Sequence, residues 1–274
     1  MKGDCNECSH DCENYCTVAS THTYNSKYPS GDKAYGGYAK YWRGNGHFVI
    51  NIPDEIPSAE AAPMLCGGVT TYSPLKQHGC GTTAKRVGII GIGGLGHFGL
   101  LWARALGAEK VVAISRSRAK EEDAKKLGAD YMISTGEEGW QDKNKNSLDL
   151  IISTIASPKL PLMDYLNLLD IGGTFCQVGG TFSPYSICVK ILKLTSISAP
   201  EDPVPEFYAF ALIMKRVKIA GSLIGSPAEI REMLDLAVSK KVKAWVNERP
   251  MAEANQAIVD FEKGLPRYRF VLKN

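Results

Sequence analysis

A single stretch, Gly88 to Ala108, restricts the fold of this chain more than any other feature. Its sequence, GIIGIGGLGHFGLLWARALGA, is strongly apolar and carries six glycines within its first twelve residues. A membrane-spanning helix needs ~20 uninterrupted apolar residues, whereas this run contains His97 and is broken repeatedly by glycine. The pattern therefore predicts a buried strand, a tight turn and a helix.

The turn has the spacing GxGxxG at Gly91, Gly93 and Gly96. After a strand (RVGII) and before a helix (HFGLLWARALG), these glycines serve a tight turn, close approach of the main chain to a diphosphate, and close packing of helix on strand. The helix amino terminus then offers N–H groups and a positive dipole end to phosphates. A glycine-rich turn without a ligand is the alternative, which the flanking elements disfavour. We assign the diphosphate of a dinucleotide cofactor to Gly91, Gly93, Gly94, Leu95 and Gly96.

The residues after the second strand predict which dinucleotide binds. An acidic residue ~20 positions past the glycines would bind the 2′-hydroxyl of an adenosine ribose. This chain instead has Ser115, followed by Arg116 and, four residues later, Lys120. Hydroxyls and cations attract a 2′-phosphate that a carboxylate would repel, so the sequence predicts NADP(H) rather than NAD. A solvated basic loop would explain the charges but not the missing acid.

From about residue 85 the chain alternates apolar runs with helical or loop segments. The runs VGIIG, VVAIS, DYMIS, LDLIIS and TFCQVGG are typical of buried parallel strands with crossover helices. They predict an α/β fold, with a doubly wound parallel (Rossmann) sheet in a domain of residues 58–240. Residues 1–57, rich in turns and short segments such as HFVINIP, are expected to form a smaller, mostly β domain. The tail, residues 241–274, is expected to return to that domain as strand, helix and strand.

Four of the eight cysteines fall within twelve residues: Cys5, Cys8, Cys12 and Cys16. The amino terminus has no signal peptide, so we expect a reducing, cytoplasmic compartment, in which clustered thiols indicate a metal rather than disulfides. Four thiolates close a tetrahedral Zn²⁺ site, whose role is structural. Unliganded or disulfide-bonded cysteines are the alternative.

Charge gives little reason to expect a polymer partner. The net charge of +3 over 274 residues is small, and the basic residues are spread along the chain. A zinc-finger-like interaction module built on the cysteine cluster would need basic or aromatic flanks, which the sequence lacks. We therefore expect no nucleic-acid partner, and no membrane partner because no apolar run is long enough to span a bilayer.

Cys66 lies in the apolar segment AAPMLCGGVTTYSPL, where a lone cysteine is more typical of a buried structural residue than of a ligand. This segment, the cysteine cluster, GGYA (Gly36 to Ala39), GIGGLG, SRS, KIAGSLIGS and the terminal RYRF together resemble the medium-chain zinc alcohol dehydrogenases, specifically the NADP-dependent cinnamyl-alcohol-dehydrogenase-like branch. The resemblance covers nearly the whole chain. It implies a partial GroES-like catalytic domain beside the Rossmann domain and a homodimer. It also implies reversible hydride transfer between NADPH and an aldehyde, with a primary alcohol as the product and zinc polarising the carbonyl.

The resemblance also implies roles for individual residues. Cys66 becomes a catalytic zinc ligand, and Thr70 a neighbour of the nicotinamide. Ser115, Arg116 and Lys120 would hold the 2′-phosphate. The remaining cofactor contacts implied by the family are Val178, Gly179, Ser222, Ile224 and Arg269.

The sequence departs from the family pattern in three places. The family's chain continues upstream, where it carries the other catalytic zinc ligands, so we expect an amino-terminally truncated protein in which Cys66 alone cannot keep a metal. The family spaces its cysteines C-x2-C-x2-C-x7-C, whereas here the third comes one place later and the fourth four places sooner. Residues 186–205 match nothing in the family and are expected to form an insertion. The alternative to an active enzyme is therefore a non-catalytic NADP-binding remnant without an assembled catalytic zinc site.

Overall fold

The computed structural model describes residues 5–18, 21–157, 159–178 and 205–274. The chain divides into two compact units, a first unit of Met1–Val69 with Gly225–Asn274 and a second unit of Thr70–Ile224. These boundaries differ from those expected at residues 57/58 and 240/241. The segment before Val69 and the helix after Gly225 pack within the first unit, where the Met233 side chain would lie 3.3 Å from a Cβ on Gly68. Most of the predicted insertion, residues 186–204, lies outside the described residues.

Ten strands are present among the described residues. They are β1 Tyr24–Lys27, β2 Lys33–Tyr35, β3 Arg86–Ile90, β4 Lys110–Ser115, β5 Tyr131–Ser134, β6 Leu148–Ser153, β7 Leu169–Val178, β8 Lys218–Ser222, β9 Val246–Pro250 and β10 Arg269–Lys273.

Ten α-helices accompany them in the same part of the chain. They are α1 Asn6–Ser9, α2 Ser58–Pro63, α3 Val69–Gln77, α4 Gly96–Ala105, α5 Glu121–Lys126, α6 Trp140–Lys143, α7 Leu162–Leu168, α8 Ala209–Lys215, α9 Pro227–Lys240 and α10 Ala254–Glu262. Within the described residues, no helix is both long enough and apolar enough to cross a membrane.

The second unit is built on a six-stranded sheet in the order β5-β4-β3-β6-β7-β8, with every neighbouring pair parallel. The chain runs outward from β3 to β5 and then returns to β6 on the other side of β3. Strand order therefore reverses between β3 and β6, and the carboxyl ends of these two strands mark the point where an open α/β sheet binds its ligand. The predicted doubly wound sheet is confirmed.

The predicted apolar runs form the core of this sheet. Ile90, Ile114, Ile151 and Phe175 belong to one buried cluster on the face covered by α7. The segment RAKEEDAKKLGAD contains α5, with an i,i+4 ion pair between Glu121 and Lys125 at 3.3 Å. Local periodicity therefore predicted both layers correctly, because buried parallel strands and amphipathic helices have distinct patterns.

The first unit contains two small sheets. Strands β1 and β2 pair antiparallel, while β9 and β10 pair parallel, with α2 and α10 packed against them. The carboxyl-terminal strand, helix and strand were predicted from sequence. The β segment predicted at HFVINIP is wrong: Gly46–Phe48 is a 3₁₀ turn and the residues after it join no strand among those described. A strand needs a partner to satisfy its main-chain groups, and the described chain offers none there.

Candidate functional site

The glycine-rich loop joins β3 to α4 at the carboxyl edge of the sheet. Gly91 has φ +85°, a left-handed conformation that suits glycine. A Cβ on Gly96 would lie 1.8 Å from the Gly91 carbonyl oxygen, so only glycine lets α4 approach the loop this closely. A Cβ on Gly93 would meet nothing within 4 Å. Internal packing therefore accounts for two of the three glycines, and the space at Gly93 fits close approach of a ligand such as a diphosphate.

Helix α4 begins in this loop without a side-chain cap at Leu95. Gly93, Gly94 and Leu95 are each half-buried, whereas Gly96 is buried at the first position of the helix. Helix amino termini carry a partial positive charge and unpaired N–H groups that favour anions. Of the five residues assigned to the diphosphate, four are thus partly exposed just before α4, and Gly96 is buried.

The end of β6 holds this loop in place. The buried Thr154 hydroxyl oxygen lies 2.8 Å from the Ile90 carbonyl oxygen and 3.0 Å from that of Gly91. A Cβ on Gly91 would come within 2.6 Å of the Ile155 side chain, which is 38% exposed. Thr154 and Ile155 therefore shape the floor of the loop. Sequence reasoning missed both, although residues at the carboxyl ends of strands beside the reversal point are the expected positions.

The loop after β4 carries the predicted 2′-phosphate residues. Ser115 ends β4 half-buried, and Arg116 is exposed with no ion pair to any described residue. The Arg116 carbonyl accepts hydrogen bonds from Gly136 N at 3.1 Å and Ser134 Oγ at 3.3 Å, which fixes the main chain there. Lys120 Nζ donates to the Ile92 carbonyl at 2.7 Å, so this side chain connects the loop after β4 to the glycine-rich loop.

Arg118, the other arginine of this loop, is engaged by carboxylates. Its Nε lies 2.6 Å from Glu137 Oε1, and its Nη1 lies 3.0 Å from Glu121 Oε2. Hydrogen bonds from Arg118 hold the pKa of both carboxyl groups below the ordinary value. The charge of Arg118 is thus balanced locally, which leaves Arg116 as the arginine of this loop without an ion pair to a described residue.

The carboxyl ends of β7 and β8 contain the next predicted contacts. Val178 is buried at the end of β7, paired in register with Ser222 at the end of β8. The Ser222 hydroxyl is buried and has no partner among the described residues. Ile224 has φ +42°, an uncommon and strained conformation for a β-branched residue. Gly179 lies outside the described residues.

Gln177 is another residue at this edge that sequence reasoning missed. Its amide nitrogen donates to the Ile155 carbonyl at 3.0 Å and thereby links the ends of β6 and β7. A polar residue inside an otherwise apolar strand run was the available signal.

The unpaired Ser222 hydroxyl and the strained Ile224 are features that a bound cofactor at this edge would explain.

Cys66 projects from a π-helical turn, Met64–Gly68, between α2 and α3. It is exposed, which is contrary to the buried structural cysteine that its apolar neighbours suggest. Single π-turns inside helices occur often at functional sites. Arg269 is half-buried in the same unit; burial lowers its pKa, and its interaction with Cys66 partly opposes that shift. Thr70 is buried near the start of α3.

Within the described ranges, one group of three or more potential metal donors lies close together: the thiols of Cys5, Cys8 and Cys16, within 4.8 Å of one another. Hydrogen bonding to Cys5, followed by burial and the influence of Cys16, raises the pKa of Cys8 to about 12. Crowded thiols cannot all ionise without a cation, so this donor set fits Zn²⁺. Cys12 does not belong to the group. Cys66 is in no comparable group in the described part of the chain.

Glu13 lies between Cys8 and Cys16 in the sequence and was also missed. It is 8% exposed, and its Oε1 lies 2.9 Å from His47 Nε2. Its other oxygen is buried without a partner among the described residues. Because the two residues are 34 positions apart, no local pattern could have predicted the pair.

Comparison with known proteins agrees with this arrangement. A family model described as zinc-binding dehydrogenase matches residues 94–239. The chain is 42% identical over 273 residues to NADP-dependent alcohol dehydrogenase 6 of Saccharomyces cerevisiae, a match that covers 98% of this chain and 69% of that protein.

Solved structures show the same fold. A cinnamyl alcohol dehydrogenase of Sorghum bicolor gives a TM-score of 0.83 at 31% identity, over 99% of this chain and 71% of that one. The crystal structure of CAD from Helicobacter pylori complexed with NADP(H) gives a TM-score of 0.79 at 28% identity, over 99% of this chain and 71% of that one. The chain therefore belongs to the zinc-binding dehydrogenase family, in the branch of the NADP-dependent and cinnamyl alcohol dehydrogenases.

Proposed function

We propose that this chain binds NADP(H) and acts as an alcohol dehydrogenase that interconverts a small aldehyde and its primary alcohol. The observation that carries the proposal is the glycine-rich loop at the reversal of strand order, with open space at Gly93 and an exposed Arg116 after β4 where NAD-binding sheets place an acid. The names of the relatives, an NADP-dependent alcohol dehydrogenase and cinnamyl alcohol dehydrogenases, support the cofactor and the substrate class.

Different residues bind different parts of the cofactor in this proposal. Main-chain N–H groups from Gly93 to Gly96 bind the diphosphate, and Ser115 and Arg116 bind the 2′-phosphate. Lys120 holds the two loops together through the Ile92 carbonyl. Bound NADPH supplies the hydride. Val178, Ser222 and Ile224 position the nicotinamide half, with Thr70 as a further contact that the family resemblance supports.

The first unit corresponds in this proposal to part of a GroES-like catalytic domain, with a structural zinc in its cysteine lobe. A catalytic zinc needs three protein ligands, and Cys66 is not grouped with two further donors among the described residues. The residues present therefore do not by themselves build a catalytic zinc site, and we assign no reaction step to a metal at Cys66.

That observation favours a second candidate function, a protein that binds NADP(H) without turning over a substrate. The two candidates differ in one measurement, the oxidation of NADPH in the presence of cinnamaldehyde. Turnover that continues until the aldehyde is consumed supports the enzyme. Tight NADPH binding without turnover supports the binding protein.

Cofactor choice is tested by calorimetric titration of NADPH and NADH. Replacing Arg116 with Ala removes a charge-assisted hydrogen bond to the 2′-phosphate, which should lower NADPH affinity by about tenfold or more and leave NADH affinity unchanged. Arg118→Ala is the matched control, because that arginine is already engaged by Glu121 and Glu137, and should change NADPH affinity by no more than about twofold. Equal affinity of the unmodified chain for NADH and NADPH would refute the assignment.

A further inference from the structure

We propose that Glu137 limits the affinity of this chain for NADP(H), because its carboxylate holds Arg118, a second potential ligand of the 2′-phosphate, away from the cofactor. The inference rests on the proposed NADP(H) site and deepens it, since it concerns how strongly the loop after β4 binds the 2′-phosphate. Glu137 acts through Arg118 and is therefore a positioning residue. Neither residue is among the predicted cofactor contacts.

The main chain places Arg118 beside Arg116, the arginine assigned to the 2′-phosphate. Ser117, the residue between them, is extended, with φ −145° and ψ 163°. The two neighbours of an extended residue project on the same side of the chain, with their Cα atoms about 7 Å apart. An arginine side chain can span that distance, so a released Arg118 can reach an anion bound by Arg116.

Two carboxylates engage both edges of the Arg118 guanidinium. Its Nε and Nη2 donate to the two oxygens of Glu137 at 2.6 Å and 3.3 Å, which makes this pair bidentate. Its Nη1 donates to Glu121 at 3.0 Å, and Glu121 also lies 3.3 Å from the ammonium of Lys125. Isolated exposed ion pairs are weak, but bidentate geometry and networks of several charges are the exceptions. Arg118 must therefore leave Glu137 before it can bind a phosphate with the same edge.

The main chain keeps Glu137 next to the loop after β4. Gly136 N donates to the Arg116 carbonyl at 3.1 Å, and Thr135 N donates to the Ser115 carbonyl at 2.8 Å. A Cβ on Gly136 would lie 2.7 Å from the Arg116 carbonyl oxygen, so glycine permits this close approach of the two loops. Glu137 therefore stays where it competes with a 2′-phosphate for Arg118.

The competition affects one cofactor and not the other. A phosphate monoester carries between one and two negative charges at neutral pH, and guanidinium–phosphate pairs are among the strong charge-assisted contacts. NADH has no 2′-phosphate, so release of Arg118 gives it no new contact. Glu137 is thus expected to reduce the preference of the chain for NADPH over NADH.

The first test is calorimetric titration of Glu137→Gln in the full chain. Without the carboxylate, Arg118 is free to bind the 2′-phosphate, so NADPH affinity should rise by about three- to tenfold while NADH affinity stays unchanged. A structural role alone predicts a loss, not a gain. Glu138→Gln is the matched control, because it removes the same charge from the next residue without removing a partner of Arg118, and it should change NADPH affinity by less than about twofold.

A double variant tests whether the gain passes through Arg118. Arg118→Ala combined with Glu137→Gln should bind NADPH within about twofold of the unmodified chain, since both partners of the ion pair are gone. A gain that persists in the double variant would show that the charge of Glu137 acts on the cofactor directly, which overturns the proposal.

A smaller probe locates the effect at the 2′-phosphate. Glu137→Gln should raise the affinity for adenosine 2′,5′-bisphosphate and leave that for adenosine 5′-monophosphate unchanged. The gain should shrink as the NaCl concentration rises, because exposed charges are screened. An equal gain for both nucleotides would contradict the proposal.

The outcomes separate this inference from the proposed function. If the unmodified chain prefers NADPH to NADH and Glu137→Gln shows no gain, the inference is refuted and the proposed cofactor stands. If the unmodified chain binds no NADPH, both are refuted. Both carboxylates are exposed, so thermal unfolding of the Glu137→Gln and Glu138→Gln variants should match that of the unmodified chain.

Discussion

Gly91, Gly93 and Gly96 differ in their surroundings although they belong to one motif. Gly91 is required by its positive φ, and Gly96 by the Gly91 carbonyl 1.8 Å from its would-be Cβ. Gly93 has no such constraint within the protein. At the scale of single residues, two of these glycines serve the fold, and the third leaves room for a ligand.

Replacing Gly93 with Ala should therefore leave the free energy of unfolding unchanged and lower NADPH affinity by about tenfold or more, because the added methyl group occupies the space into which the diphosphate approaches. Differential scanning fluorimetry and calorimetry measure the two effects. Gly96→Ala is the contrasting variant, since its Cβ clashes with main chain, and it should destabilise the protein by about 1–3 kcal/mol. A Gly93→Ala variant that binds NADPH normally would show that the loop does not hold the diphosphate.

At the scale of elements, β3 and β6 are joined at their amino ends by a charged cluster as well as by their ladder. Asp149 at the start of β6 accepts hydrogen bonds from the main-chain N–H groups of Lys85 and Arg86, at 3.0 Å and 2.8 Å. The Arg86 guanidinium also binds Asp149 and Asp170. This cluster fixes the register of the two strands whose opposite ends form the proposed cofactor site.

The Asp149 pair predicts a pH dependence of stability. Burial raises the pKa of Asp149, but the hydrogen bonds from Arg86 and the main chain outweigh it and lower the pKa below the ordinary value. Because the pKa is lower in the folded state than its unfolded value of ~3.9, the ionised carboxylate stabilises the fold at pH values above ~3.9. That stability is lost as the pH falls toward the folded pKa. Asp149→Asn should cost about 1–3 kcal/mol at pH 7, with a smaller difference from the unmodified protein below about pH 4.

Urea unfolding at pH 7 and pH 3 measures this difference. Asp170→Asn serves as the control, because Asp170 is more exposed and accepts from the same arginine, and it should cost no more than about 1 kcal/mol. A cost for Asp149→Asn that stays constant with pH would be inconsistent with a charged native carboxylate.

At the scale of the whole molecule, the proposed cofactor cradle and the thiol cluster lie in different units. Gly91–Gly96, Ser115 and Arg116 belong to the second unit, and Cys5, Cys8 and Cys16 to the first. Ligand binding to the cradle therefore should not require the metal site.

NADPH at 100 times its dissociation constant should stabilise the protein by about 2.7 kcal/mol, which corresponds to a rise in unfolding temperature of roughly 5–10 °C. NADH at the same concentration should give a clearly smaller rise. The NADPH shift should persist after chelation of the metal, which is expected to unfold the cysteine lobe alone. Thermal scans of the four combinations check this, and loss of the NADPH shift on chelation would contradict independent sites.

The sequence by itself determined the parallel sheet, the strand, turn and helix at Gly88–Ala108, and the absence of an acid after β4. These features follow from hydrophobic periodicity and from residue types at fixed spacing, which are signals local in the sequence. The HFVINIP segment shows the limit of such patterns, because strand formation depends on a partner that periodicity does not supply.

Only the tertiary structure decided which side chains are engaged. It paired Arg118 with Glu137, 19 residues away, and Glu13 with His47, 34 residues away. It also gathered three of four clustered cysteines and exposed Cys66. Such outcomes depend on where distant segments and main-chain turns place each atom, and sequence spacing alone carries no information about those positions.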